Sequence, residues 1–74
     1  MARLLTLVGA YGKQYHDAES AKAAWNKGVD FKILNGPYCS IRDIRTMVRL
    51  HETVQIRYGE GQLLTIYAYN KLIT

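Results

Sequence analysis

A single cysteine, Cys39, stands in the whole sequence. It excludes an internal disulfide and fits a reducing compartment. No apolar run approaches the ~18 residues of a membrane span, so no membrane segment is expected. The opening stretch Met1–Val8 has a short apolar run but no small-residue cleavage site after it, which argues against a secretory signal. No linker, repeat or low-complexity tract interrupts the sequence. Paired carboxylates suited to acid–base work are missing. His16, Cys39 and His51 lack the paired spacing of zinc ligands, and nothing beside Cys39 marks it as an activated nucleophile. The sequence therefore reads as a binding protein without catalysis, metal or cofactor.

What is present belongs to one small folded unit spanning 1–74. The 49% apolar and 22% charged content is that of a globule rather than a disordered chain. A core built from so few residues is marginal, and chains of this size often gain burial by oligomerising, so a homo-oligomer is expected. Ten Lys/Arg against six Asp/Glu leave a formal charge of +4. This mild excess favours anionic partners in general. Six tyrosines are many for 74 residues; each offers a large amphipathic surface for an interface or a ligand wall.

Hydrophobic periodicity orders the elements. Leu4–Val8 reads as a strand, broken by Gly9-Ala10-Tyr11-Gly12. Asp17 is placed to cap a helix over Ala18–Lys27, with Ala18, Ala21, Ala24 and Trp25 at helical spacing and Gly28 ending it in the left-handed conformation. Phe31–Leu34 reads as a brief strand closed by the turn Asn35-Gly36-Pro37. Ser40 and Asp43 resemble a capping box opening a second helix over Ile41–Leu50. Val54–Tyr58 and Leu64–Ala68 alternate with period two on either side of the turn Gly59–Gln62. The expected fold is α+β, in the order β-α-β-α-β-β, with two helices packed on one face of a mostly antiparallel sheet.

The strongest chemical signal is Arg42, Arg45 and Arg49, three and four residues apart. On a helix that spacing stacks their guanidinium groups on one side, about a third of a turn from the apolar stripe Ile41, Ile44, Met47 and Val48. The turn before them brings the Tyr38 ring and the Ser40 hydroxyl close by. Fixed donors beside an aromatic surface suit a phosphate-bearing planar ligand. Tyr11 and Lys13 stand between a strand and a helix, where a phosphate loop would stand, although the glycine-lysine-serine/threonine ending of a P-loop is missing. Arg57 is a further cation, and Tyr67 and Tyr69 are expected on the outer sheet face with Thr65, opposite Leu64 and Ile66. The candidate ligand set is Tyr11, Lys13, Tyr38, Ser40, Arg42, Arg45, Arg49 and Arg57. Plainer roles stand beside these: Ser40 as a helix cap, Trp25 as core, the arginines as a solvated helix face.

Three longer phrases carry a resemblance. Gly9-Ala10-Tyr11-Gly12-Lys13-Gln14-Tyr15, then Ala24-Trp25-Asn26-Lys27-Gly28-Val29-Asp30-Phe31-Lys32-Ile33, then Val54-Gln55-Ile56-Arg57-Tyr58 together resemble a group of very small accessory proteins of tailed phages. Gln14 stands where that group has an acidic residue, and Val29 where it has lysine. The resemblance implies an accessory protein acting in the cytoplasm of the infected host cell, and carries no activity with it. Joined to the arginine row, it leads to an expected role in sequestering a small anionic, nucleotide-like ligand, such as a host signalling nucleotide. Two alternatives stand beside it. One is nucleic-acid binding through the Arg42/Arg45/Arg49 helix face or the outer sheet tyrosines. The other is inhibition of a host enzyme through outward aromatics and the C-terminal Leu72-Ile73.

Overall fold

In a computed structural model, described for residues 3–68, the first element is the strand β1 (Leu4–Gly9). Leu5 and Leu7 are buried while Leu4 is exposed, which is the alternation of a strand with one covered face. A short 3-10 turn, Ala10–Gly12, follows. The helix α1 (Ala18–Lys27) starts where its cap dictates: Asp17 accepts from the Ser20 N–H at 2.7 Å. It ends at Gly28, whose φ of 86° is the left-handed conformation, with the Gly28 N–H bonded back to the Ala24 and Trp25 carbonyls. Its inner side is small, with Ala21 and Ala24 buried, so the helix lies close against the sheet.

The strands β2 (Phe31–Ile33) and β3 (Tyr38–Cys39) form a hairpin around the Asn35-Gly36-Pro37 turn. β3 is an addition to the expected order, two residues long and set between the turn and the second helix. The helix α2 (Ile41–Met47) is capped by the Ser40 hydroxyl, which accepts from the Asp43 N–H at 3.2 Å. Its last turn tightens into a 3-10 turn, Val48–Leu50, so the expected ten-residue helix is an α-helix with a 3-10 end. The strands β4 (Thr53–Tyr58) and β5 (Gln62–Ala68) close the described chain as a hairpin.

The sheet order is β3-β2-β1-β4-β5. Every neighbouring pair is antiparallel except the central one, β1 with β4, which is parallel and registers Leu5 with Val54 and Leu7 with Ile56. That pairing needs a crossover, and α2 supplies it, carrying the chain from β3 at one edge over β2 and β1 to β4. Both helices lie on one face, as the α+β pattern implied. Leu7, Phe31, Ile44, Val54 and Ile56 are fully buried beneath them. Side chains of this kind contribute ~1.5–3 kcal/mol each on burial. Among the described residues no helix is long and apolar enough to cross a membrane.

One irregularity redirects the last strand. Between Val54 and Gln55 the register of β4 with β5 shifts: Gln55 pairs with Thr65 but Val54 pairs with Tyr67, leaving Ile66 as the extra residue of a β-bulge. A bulge sets two successive side chains against one on the partner strand. Ile66 and Tyr67 therefore both pack against the core beneath the helices. This corrects the simple alternation, which assigned Tyr67 to the outer face with Thr65. Tyr69, Leu72 and Ile73 lie outside the described residues.

Candidate ligand-binding site

The covered side of the apolar stripe on α2 is occupied as expected, with Ile44 buried and Ile41, Met47 and Val48 packed around it. The exposed side about a third of a turn away carries the arginines. Arg42, Arg45, Thr46 and Arg49 line one open depression of about 540 Å³. The row thus survives the change from α-helix to 3-10 turn before Arg49. Thr46 belongs to it and was missed in the sequence, although it stands four residues after Arg42. Its hydroxyl donates to the Arg42 carbonyl at 3.1 Å.

Arg45 differs from its neighbours in being held. Its Nη2 donates to the Trp25 carbonyl at 3.1 Å, and its Cζ lies 4.7 Å from the Trp25 ring centroid. The carbonyl, which also accepts from the Gly28 N–H, lies at the C-terminal end of α1, where a cation is favoured. Hydrogen bond and cation–π stacking together fix the plane of the guanidinium. Trp25 in turn leans on Phe31, with ring centroids 6.2 Å apart, so its place near the core is structural as well. Arg45 also forms a wall of a second, smaller depression of about 260 Å³, shared with Trp25, Val48, Ile66 and Tyr67.

The remaining candidates sit elsewhere. Tyr38 pairs with Lys32, which places it on the sheet face away from the helices. Tyr11 stacks on it at 4.8 Å between centroids. To reach that position Tyr11 adopts a left-handed φ of 57°, uncommon for a tyrosine. The loop is wound so tightly that a Cβ at Gly9 would collide with the Lys13 carbonyl. Lys13 lies near the Tyr15 ring, 5.8 Å from its centroid, and lines a separate depression with His16 and Ser20. Arg57 is exposed beside Leu63 near the β4–β5 turn.

The N-terminal end of α2 already holds a carboxylate. Asp30, just before β2, accepts from the Ile41 N–H at 2.8 Å with one oxygen and from the Tyr38 hydroxyl with the other. The Tyr38 hydroxyl first, and the Ile41 N–H second, hold the Asp30 carboxyl below its ordinary pKa. The same bond, with a smaller part from Tyr11, pushes the Tyr38 phenol above its own. Tyr38 is thereby used in tying β2 and β3 to α2, and Ser40 in capping α2 itself. The one buried side-chain nitrogen without a partner among the described residues is His51 Nδ1, at the end of the 3-10 turn. No group of three or more His, Cys, Asp or Glu is gathered to hold a metal among the described residues.

No protein-family model, curated protein or solved structure matches this chain.

Proposed function

We propose that the chain captures a small phosphate-bearing, nucleotide-like ligand on the exposed side of α2, without turning it over. One observation carries this: three guanidinium groups, Arg42, Arg45 and Arg49, line a single depression with a hydroxyl, Thr46, among them. Arginine is the side chain best matched to phosphate, offering several N–H donors in a planar fork at fixed charge. Arg45 is oriented before any ligand arrives, so less freedom is lost on binding. Arg42 and Arg49 flank it from neighbouring turns. On the resemblance to phage accessory proteins, capture of this kind would withhold a signalling nucleotide from the infected host.

The test is native mass spectrometry of the protein purified without denaturation, alongside Arg42→Ala and Arg49→Ala. A stoichiometric extra mass in the nucleotide range is expected on the parent protein and is lost from both variants, which keep the parent's far-UV circular dichroism. Capture that persists in both variants would move the site away from α2. If only oligonucleotides are retained, nucleic-acid binding through the same arginine face replaces capture of a small ligand.

A further inference from the structure

Arg45 is the wall common to two adjoining depressions of different character. On one side lie Arg42, Thr46 and Arg49. On the other lie Trp25, Val48, Ile66 and Tyr67, two aromatic rings and two branched aliphatic side chains. Phosphates belong on the first side and a planar apolar group on the second. The smaller depression, about 260 Å³, falls below the ~300–1,000 Å³ of pockets that take a whole drug-sized ligand. Together with the arginine depression it comes within that range. A ligand spanning both would put a ring system in one and its phosphates in the other.

Resting on the phosphate-capture reading above, we infer that the slot between Trp25 and Tyr67 receives the base of a nucleoside phosphate whose phosphates lie on Arg42, Arg45 and Arg49. The aromatic partner of the arginines is then Trp25 with Tyr67, and not the Tyr11–Tyr38 pair. Tyr38 sits on the other face of the sheet with its hydroxyl committed to Asp30. Tyr67 reaches the slot only because the β5 bulge brings it and Ile66 to the covered side together. Arg45 joins the two halves. Its plane is set by the Trp25 ring and carbonyl, that bond uses one of the guanidinium's five N–H donors, and Arg45 lines the arginine depression as well. The ligand class is therefore a mononucleotide bearing one or a few phosphates. A bare polyphosphate would leave the slot empty, and a nucleoside would leave the arginines without an anion.

Trp25 is the only tryptophan in the chain, so its fluorescence reports occupation of the slot directly. The experiment titrates the full chain with inorganic pyrophosphate and with each of the four common ribonucleoside diphosphates, and repeats both on Tyr67→Leu. That variant removes the ring while keeping the wall apolar. At least one nucleotide is expected to bind about tenfold or more tightly than pyrophosphate, the scale of one base stacked on an aromatic side chain. The advantage should vanish in Tyr67→Leu while pyrophosphate binding stays unchanged, which also shows that the variant is folded. If pyrophosphate binds as tightly as every nucleotide, the slot is not a base site and the arginine reading stands alone. An advantage that survives in Tyr67→Leu places the base elsewhere. If neither pyrophosphate nor any nucleotide binds, the arginine reading itself fails and the slot assignment falls with it.

Discussion

Asp30 shows what a single side chain does in this fold. It gives one oxygen to the first N–H of α2 and the other to the Tyr38 hydroxyl, and so joins the β2–β3 hairpin to the crossover helix. Its carboxyl is held below the ordinary value, by Tyr38 chiefly and by Ile41 after that. A carboxyl so depressed stabilises the folded state at pH values above its unfolded pKa of ~3.9. That contribution is lost as pH falls through the lower folded value. Thermal melts from neutral pH down to about pH 2 should show a shallower acid limb for Asp30→Asn than for the parent protein; superimposable limbs would contradict the assignment. Arg45 makes a different claim. Lysine cannot keep both the stack on Trp25 and the bond to its carbonyl, so Arg45→Lys should lose about 0.5–1 kcal/mol in urea denaturation. The same change at Arg42, which lines the depression on an exposed turn, should stay within about 0.5 kcal/mol of the parent. Equal losses at both positions would mean that the Trp25 stack contributes nothing to stability.

At the scale of elements, legibility follows how local the determining contacts are. The limits of α1 are written in Asp17 and Gly28, a side-chain cap and a left-handed terminus that act within four residues of themselves. Ser40 with Asp43 announced α2 for the same reason. The arginine row was legible because helical spacing alone brings it together. β3 was not, since two residues between a turn and a helix are too few to show a period, and what makes them a strand is pairing with β2. The bulge in β5 was hidden too: Leu64, Ile66 and Ala68 alternate in sequence, and only the register against β4 reveals the shift. That shift is why the aromatic side of the candidate site could not be foreseen, whereas the cationic side could. Gly28 gives the element scale its own test. A Cβ there meets nothing within 4 Å, so any cost of substitution comes from the backbone alone. Gly28→Ala should destabilise by about 1–2 kcal/mol, and Gly28→Asn by less, because asparagine visits the left-handed region more readily. Equal losses in thermal denaturation would point to some cause other than the φ of 86°.

For the molecule as a whole, the decisive quantity is how much of a ligand one chain can cover. Pockets that hold small molecules tightly bury about 70–90% of the ligand's surface. The two depressions that share Arg45 are surface features of a 74-residue chain, and Arg42, Arg45 and Arg49 are exposed. On the proposed reading one chain would neutralise phosphates and stack a base, yet leave a broad side of the ligand in water. Capture strong enough to withhold a scarce nucleotide therefore calls for a second surface closing over α2, and a second copy of the chain is the partner always at hand. Such coupling is reciprocal: if assembly tightens the ligand, the ligand must tighten assembly by the same factor. Analytical ultracentrifugation across a dilution series, with and without the nucleotide retained in native mass spectrometry, reads both sides of that equality. The ligand should shift the equilibrium toward the closed oligomer, and dilution into monomer should release it. A monomer that keeps the ligand at full affinity would show that one α2 face suffices and that closure by a second copy has no part in capture.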